Sequence, residues 1–175
     1  MDARMDKASR GRTLLAGLAA GLALNLMMCL TFRLIGFGWD GDGFLLNPAI
    51  QSGKLIAIWI ELEPLPLVVT KPAPIILGLM LFGLLHAFIY RSIAPAWKQG
   101  VWARGARFSL VIFVMSFLFW EFFTPFNQFG EPILLIAIEL VFWATIALTE
   151  GFAISAIMEP SKPLGDDHSW KRPQE

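Results

Sequence analysis

Phe117-Leu118-Phe119-Trp120-Glu121-Phe122-Phe123-Thr124-Pro125-Phe126-Asn127-Gln128-Phe129 sets one acid inside a run of aromatic side chains. A stretch this apolar reads as part of a membrane span, where a carboxylate is costly unless it has a partner or a task. Read outward, the chain from 108 to 129 makes one span and Pro132 opens another over 132–158. The fold is then a helical bundle in which Glu121 must find company.

Composition gives the same class. The 175 residues are 56% hydrophobic and 16% charged, with mean hydropathy +0.61, which belongs with membrane proteins. Fourteen basic and fourteen acidic residues cancel, so no nucleic-acid partner is expected. Cys29 has no second cysteine to pair with. The charged first ten residues imitate a secretory leader, but the apolar run that follows continues to Ile35 and no small-residue cleavage site closes it. It reads as a retained first span.

Four spans, 13–36, 74–93, 108–129 and 132–158, can each cross a ~30 Å hydrocarbon layer at ~1.5 Å per residue. The expectation is an all-α membrane protein, one four-transmembrane-helix bundle over 1–175. Pro72, Pro74 and Pro132 suit helix starts, and Pro95 and Pro160 suit stops. Arg4, Lys7, Arg10 and Arg12 precede span one, while Arg91, Lys98, Arg104 and Arg107 lie between spans two and three. Their positions put both termini in the cytoplasm. The layout of four spans with a conspicuous third helix resembles small bacterial inner-membrane proteins, which implies that membrane here. Between spans one and two, 48–69 reads as an extracytoplasmic interfacial or re-entrant segment, helical over 48–63 and broken by Pro64 and Pro66. The tail, 159–175, is polar. Gly36 to Gly43 has turn composition and lacks the closing glutamate of a calcium loop.

Depth counting aligns the polar groups. Glu121 lies ~9 Å below Asn127, Glu139 ~10 Å below Pro132, and Asn25 ~12 Å from the end marked by Arg33. Glu121, Glu139 and Asn25, with Thr124, therefore form a candidate cluster in the outer half. Pro125 lacks the N–H that would bond the Glu121 carbonyl, which bends the helix and frees that oxygen. Arg33 is a candidate charge partner for one of these acids, or for Glu61 or Glu63 at the surface. An inner layer holds His86 and Tyr90, one turn apart, and Glu150, which lies three turns from Glu139 on nearly the same face. Gly17 and Gly21, with Gly78 and Gly83, offer close helix approach.

No serine–histidine pair, metal motif or Glu-x-x-His pair is present to assign a reaction, and His168 in the tail cannot complete a bis-histidine haem site. No cofactor and no metal are predicted; haem, quinone and pigment stay open. The missing catalytic motifs favour a structural or accessory subunit of a membrane complex, with the lipid bilayer and a membrane-protein partner or second copy as its company. The alternative is binding, modification or transport of a lipophilic molecule or a proton-coupled solute through Glu121 and Glu139.

Overall fold

Proline and glycine divide the apolar chain into helices at nearly the positions their backbone chemistry dictates. The computed structural model describes residues 3–159, with side chains from Arg10 onward. Helix α1 is Ala3–Met28, prolonged by wide turns over Cys29–Gly36. A short α2, Gly53–Ile56, is prolonged likewise over Ala57–Glu61. Helix α3 spans Pro72–Ile93, α4 runs across Val101–Phe129, and α5 spans Ile133–Met158. No strand occurs among the described residues. Four of these helices, α1, α3, α4 and α5, are long and apolar enough to cross a membrane, the make-up of an integral membrane protein. Beyond Glu159, the tail with Pro160 and His168 lies outside the described residues.

Helix α4 starts seven residues before the expected 108. Gly100, at φ +121°, ends the preceding link, and nothing between Val101 and Phe108 breaks a helix. Arg104 is accommodated because its guanidinium finds partners at the bundle end, donating to Glu159 Oε1 at 2.8 Å and to the Trp97 carbonyl at 3.1 Å. At its other end, the chain passes Pro125 in wide turns over Phe122–Phe126, in which the Asn127 N–H reaches back to the Phe122 carbonyl. This register sets the Glu121 carbonyl opposite the amide of Phe126 instead of the missing N–H of Pro125, so the proline does not orphan it. Gly130 closes α4 at φ +68°, its N–H bonding the Phe126 carbonyl at 3.2 Å. The Glu131 N–H folds back to the Pro125 carbonyl at 3.1 Å, which tucks Glu131 under the turn.

The helices run up and down in sequence. Helix α1 packs on α3 and α5, and α4 packs on α5. The α1–α3 contact is a backbone approach through small residues: a Cβ on Gly17 would lie 2.7 Å from Leu84 Cα, and one on Gly21 would lie 2.8 Å from Met80 Cα. Gly83 faces Gly21 from the other side, whereas Gly78 meets nothing within 4 Å. Leu24, Tyr90, Phe108, Ile112, Ile146 and Ile154 fill the interior, and leucines such as Leu14, Leu22, Leu77 and Leu81 point outward. That inversion suits a chain solvated by hydrocarbon, where close packing rather than water exclusion joins the helices.

Between α1 and α3, the chain folds over the end of the bundle that carries the α4–α5 turn, here called the turn end. Leu46, Leu55 and Ile56 pack against Phe37, Trp59 and Phe129. Ser52 caps α2 by accepting the Leu55 N–H at 3.2 Å, and its hydroxyl donates to the Phe129 carbonyl at 2.7 Å. Gly38 and Gly41, at φ +74° and +82°, form the preceding turn. Helix α2 covers Gly53 to Glu61, shorter than the 48–63 expected, because Ser52 sets its start and Leu62 turns extended before Pro64.

The glycine contacts predict a contrast. Gly83→Ala should lower the stability of the purified protein in detergent by about 1–3 kcal/mol, since the added methyl has nowhere to go. Gly78→Ala should cost nothing or stabilise α3 slightly. Equal Tm values for the two variants would contradict this packing.

Candidate functional site: two buried polar clusters

Every acid on α5 faces inward, because helical periodicity places Glu139 and Glu150 on the buried edge of an otherwise apolar rod. At the turn end, Glu139 meets two further carboxyls. It lies within hydrogen-bond reach of Glu121 from α4 and of Glu131 from the α4–α5 turn. The three side chains are 6%, 1% and 2% exposed respectively. The Trp143 indole N–H, one turn along α5, donates to Glu121 Oε1. Gln51 donates through Nε2 to Glu131 Oε1 and to the Leu45 carbonyl at 3.0 Å. Thr124 and Pro125 are buried beside them in the wide turn.

The second oxygens of Glu121 and Glu131 are buried and face no N–H or hydroxyl donor. Contact between carboxyl groups holds only with a proton between them. Satisfying both of Glu139's contacts therefore takes two protons, which leaves one negative charge on three acids. Burial drives the Glu131 carboxyl above the usual carboxylate range, against the bonds from Gln51 and Glu139.

The aromatic run around Glu121 does not enclose it. Phe119, Phe122, Phe123 and Phe126 lie on the outward side of α4, while Glu121, Phe117 and Thr124 turn inward. Phe119, Phe122 and Phe123, with Val114, Leu118 and Asn127, line an open groove of about 470 Å³. Asn25, aligned by depth with the acids, spends its amide on the Gly21 carbonyl at 2.8 Å and the Ile76 carbonyl at 3.4 Å, which ties α1 to α3 instead. Arg33 stays at the surface, its guanidinium donating to the Trp39 carbonyl and stacking over the Trp39 ring at 5.6 Å. It pairs with neither acid.

Toward the opposite end, His86 Nδ1 and Glu150 Oε1 meet at 2.7 Å, with side chains 9% and 0% exposed. Phe82 and Phe108 wall the imidazole at 4.2 and 6.1 Å between ring centres. Tyr90 does not join this pair; its hydroxyl donates to Glu159 Oε1 at 2.9 Å and approaches Ser155 Oγ at 3.2 Å. Glu159 also takes the Arg104 guanidinium and, at 3.4 Å, the Gly100 N–H. Burial opposes ionisation of Glu159, but Arg104, Tyr90 and Gly100 outweigh it and hold the carboxyl below its ordinary range. Between the two clusters lie Leu24, Ile112, Phe117, Ile146 and Ala147, with Trp143 stacked on Phe117 at 4.3 Å and tilted against Phe32 at 4.6 Å. These interior side chains are apolar.

Sequence reasoning pairs Glu121 with Glu139 and misses Glu131, Gln51, Arg104 and Glu159. Each of these stands at a helix end or in a loop, where polar residues ordinarily face water. Glu131 next to the Gly130 turn was the available signal. Among the described residues, no three His, Cys, Asp or Glu side chains are placed to hold a metal ion. No protein-family model, curated protein or solved structure matches the chain.

The Glu159 contacts have a pH signature. A carboxyl held below its ordinary range contributes stability above that range and loses it as pH falls through the lowered value. Glu159→Gln should therefore cost about 1–3 kcal/mol near neutral pH, with the deficit shrinking in acid. Tm measured against pH for both proteins checks this; a deficit that grows in acid would refute it.

Proposed function

We propose that this chain is a small accessory subunit of a membrane assembly, held in a bacterial inner membrane with both termini in the cytoplasm. The carrying observation is the division of labour between its inside and its outside. Buried polar side chains are spent on one another: His86 on Glu150, Glu159 on Arg104 and Tyr90, Glu131 on Gln51, and Glu121 on Trp143. Two open apolar grooves, of about 470 and 250 Å³, run along α4. Such a body is built for contact rather than for enclosing a substrate.

The outward face of α4 is where that contact fits best. Phe119 and Phe123 stack at 5.3 Å into a flat wall, and Phe122 and Phe126 meet edge to face at 5.9 Å. Aromatic surfaces of this kind supply rigid contact area at little entropic cost and are enriched where proteins meet. The outward faces of α1 and α3 are mainly leucine and isoleucine, with Phe88 beside them, which suits lipid chains. The α2 segment, lying over the turn end, takes the interfacial position, with Trp39 and Ile60 exposed there.

A photo-crosslinking amino acid at Phe122 should give one discrete adduct with a membrane protein or a second copy of this chain. The same group at Leu22, on α1, should give lipid adducts. Lipid adducts at both positions would end this reading, and Phe123→Ala, an exposed ring of the same wall, should weaken the adduct at Phe122 at least several-fold while leaving Tm unchanged.

A further inference from the structure

We infer that Glu121, Glu131 and Glu139 form a proton-binding site at the turn end, and that its bound protons keep the segment from Gln51 to Glu61 closed over the bundle. This goes beyond the accessory role and does not depend on it.

The geometry carries the inference in three steps. First, the acids come from three places, α4, the turn and α5, yet converge on Glu139. One oxygen of Glu121 and one of Glu131 have protein donors, Trp143 and Gln51. The other oxygen of each is buried and aimed where a donor is missing unless a carboxyl proton supplies it. Second, no base neutralises the group. On α1 the nearby cation is Arg33, engaged with Trp39; on the covering segment it is Lys54, whose ammonium donates to the Gln128 carbonyl. Trp143, which donates to Glu121 and stacks on Phe117, and Thr124, buried in the wide turn after Glu121, are uncharged. His86 is committed to Glu150 in the other half. Third, Glu131 is the acid that the covering segment touches directly, through Gln51, which is itself buried. The same glutamine anchors the segment, since its Oε1 accepts the Ser52 N–H at 2.7 Å and its Nε2 bonds Leu45 and Glu131.

Loss of the protons places like charges within hydrogen-bond reach in a dry pocket, where their repulsion is poorly screened. Hydrating Glu131 relieves it, and that requires Gln51 to leave and α2 to lift from Phe37 and Phe129. Because burial raises the Glu131 carboxyl, the protonated, closed form is favoured below the ordinary carboxyl range and gives way as pH rises through the raised value.

The test uses the full chain in lipid nanodiscs, in a Cys29→Ser background. Leu55→Cys places a thiol at a position 5% exposed, and Ile60→Cys one at a position 50% exposed. A membrane-impermeant maleimide labels both, and the ratio of their rates removes the thiol's own pH dependence. The ratio should rise by up to about tenfold per pH unit while one proton is released. Glu139→Gln removes the central charge and leaves its neighbours facing a neutral amide, so its ratio should rise less with pH than that of the native chain. A ratio in the native chain that ignores pH, or a Glu139→Gln variant that opens like the native chain, would overturn the inference. Should that variant fail to fold, infrared difference spectra of the native chain decide. A protonated-carboxyl stretch must fade over the pH range in which Leu55→Cys becomes reactive, and its absence or constancy also overturns the inference.

Discussion

Hydrocarbon offers no hydrogen bonds, so each polar group in a membrane bundle must be satisfied by another part of the same chain or an adjoining one. That single constraint organises this protein around one edge of α5. Glu139, Trp143, Glu150, Ser155 and Glu159 meet partners from every other long helix except α1, and from the covering segment and turn. Helix α1 contributes packing instead, through Gly17, Gly21 and the Asn25 amide. Polar contacts thus tie α3 and α4 to α5, while apolar and glycine contacts seat α1 against α3 and α5.

The two ends of the bundle solve the constraint by different chemistry. At one end an acid meets a base: Arg104 and Glu159 pair within 2.8 Å, with Tyr90 donating to the same oxygen. At the turn end three acids meet one another with two neutral donors, Trp143 and Gln51. A charge pair is self-sufficient across a broad pH range, whereas a carboxyl group pressed against another draws its bond from the surrounding proton supply.

Much of this was legible in the sequence because helical geometry is periodic and depth is countable. The four spans, the alignment of Glu121 with Glu139 and the shared face of Glu139 and Glu150 all follow from rise and rotation per residue. What escaped was azimuth and loop path. Asn25 has the right depth but turns toward Ile76, and the phenylalanines beside Glu121 in sequence lie on the far side of α4. Wide turns shift the angular register within α4, so no ideal wheel drawn from 108 assigns both. Arg33 has the charge to neutralise an acid, yet extends to Trp39 at the surface, where its solvation is cheaper. Glu131 enters the interior through the left-handed Gly130, a backbone event with a weak local signature.

The apolar layer between the two clusters also has an electrical meaning. Glu139 and Glu150 are eleven residues apart on a regular helix, ~16 Å, and the space between is filled by Ile146, Ala147, Phe117 and stacked Trp143. A low-dielectric slab bounded by polar faces behaves as a capacitor, and a transmembrane voltage falls chiefly across it. Each elementary charge that crossed the full drop would exchange about 2.3 kcal/mol per 100 mV. Charge redistributed within the carboxyl cluster alone stays on one side of that slab, so it exchanges only a small part of this energy.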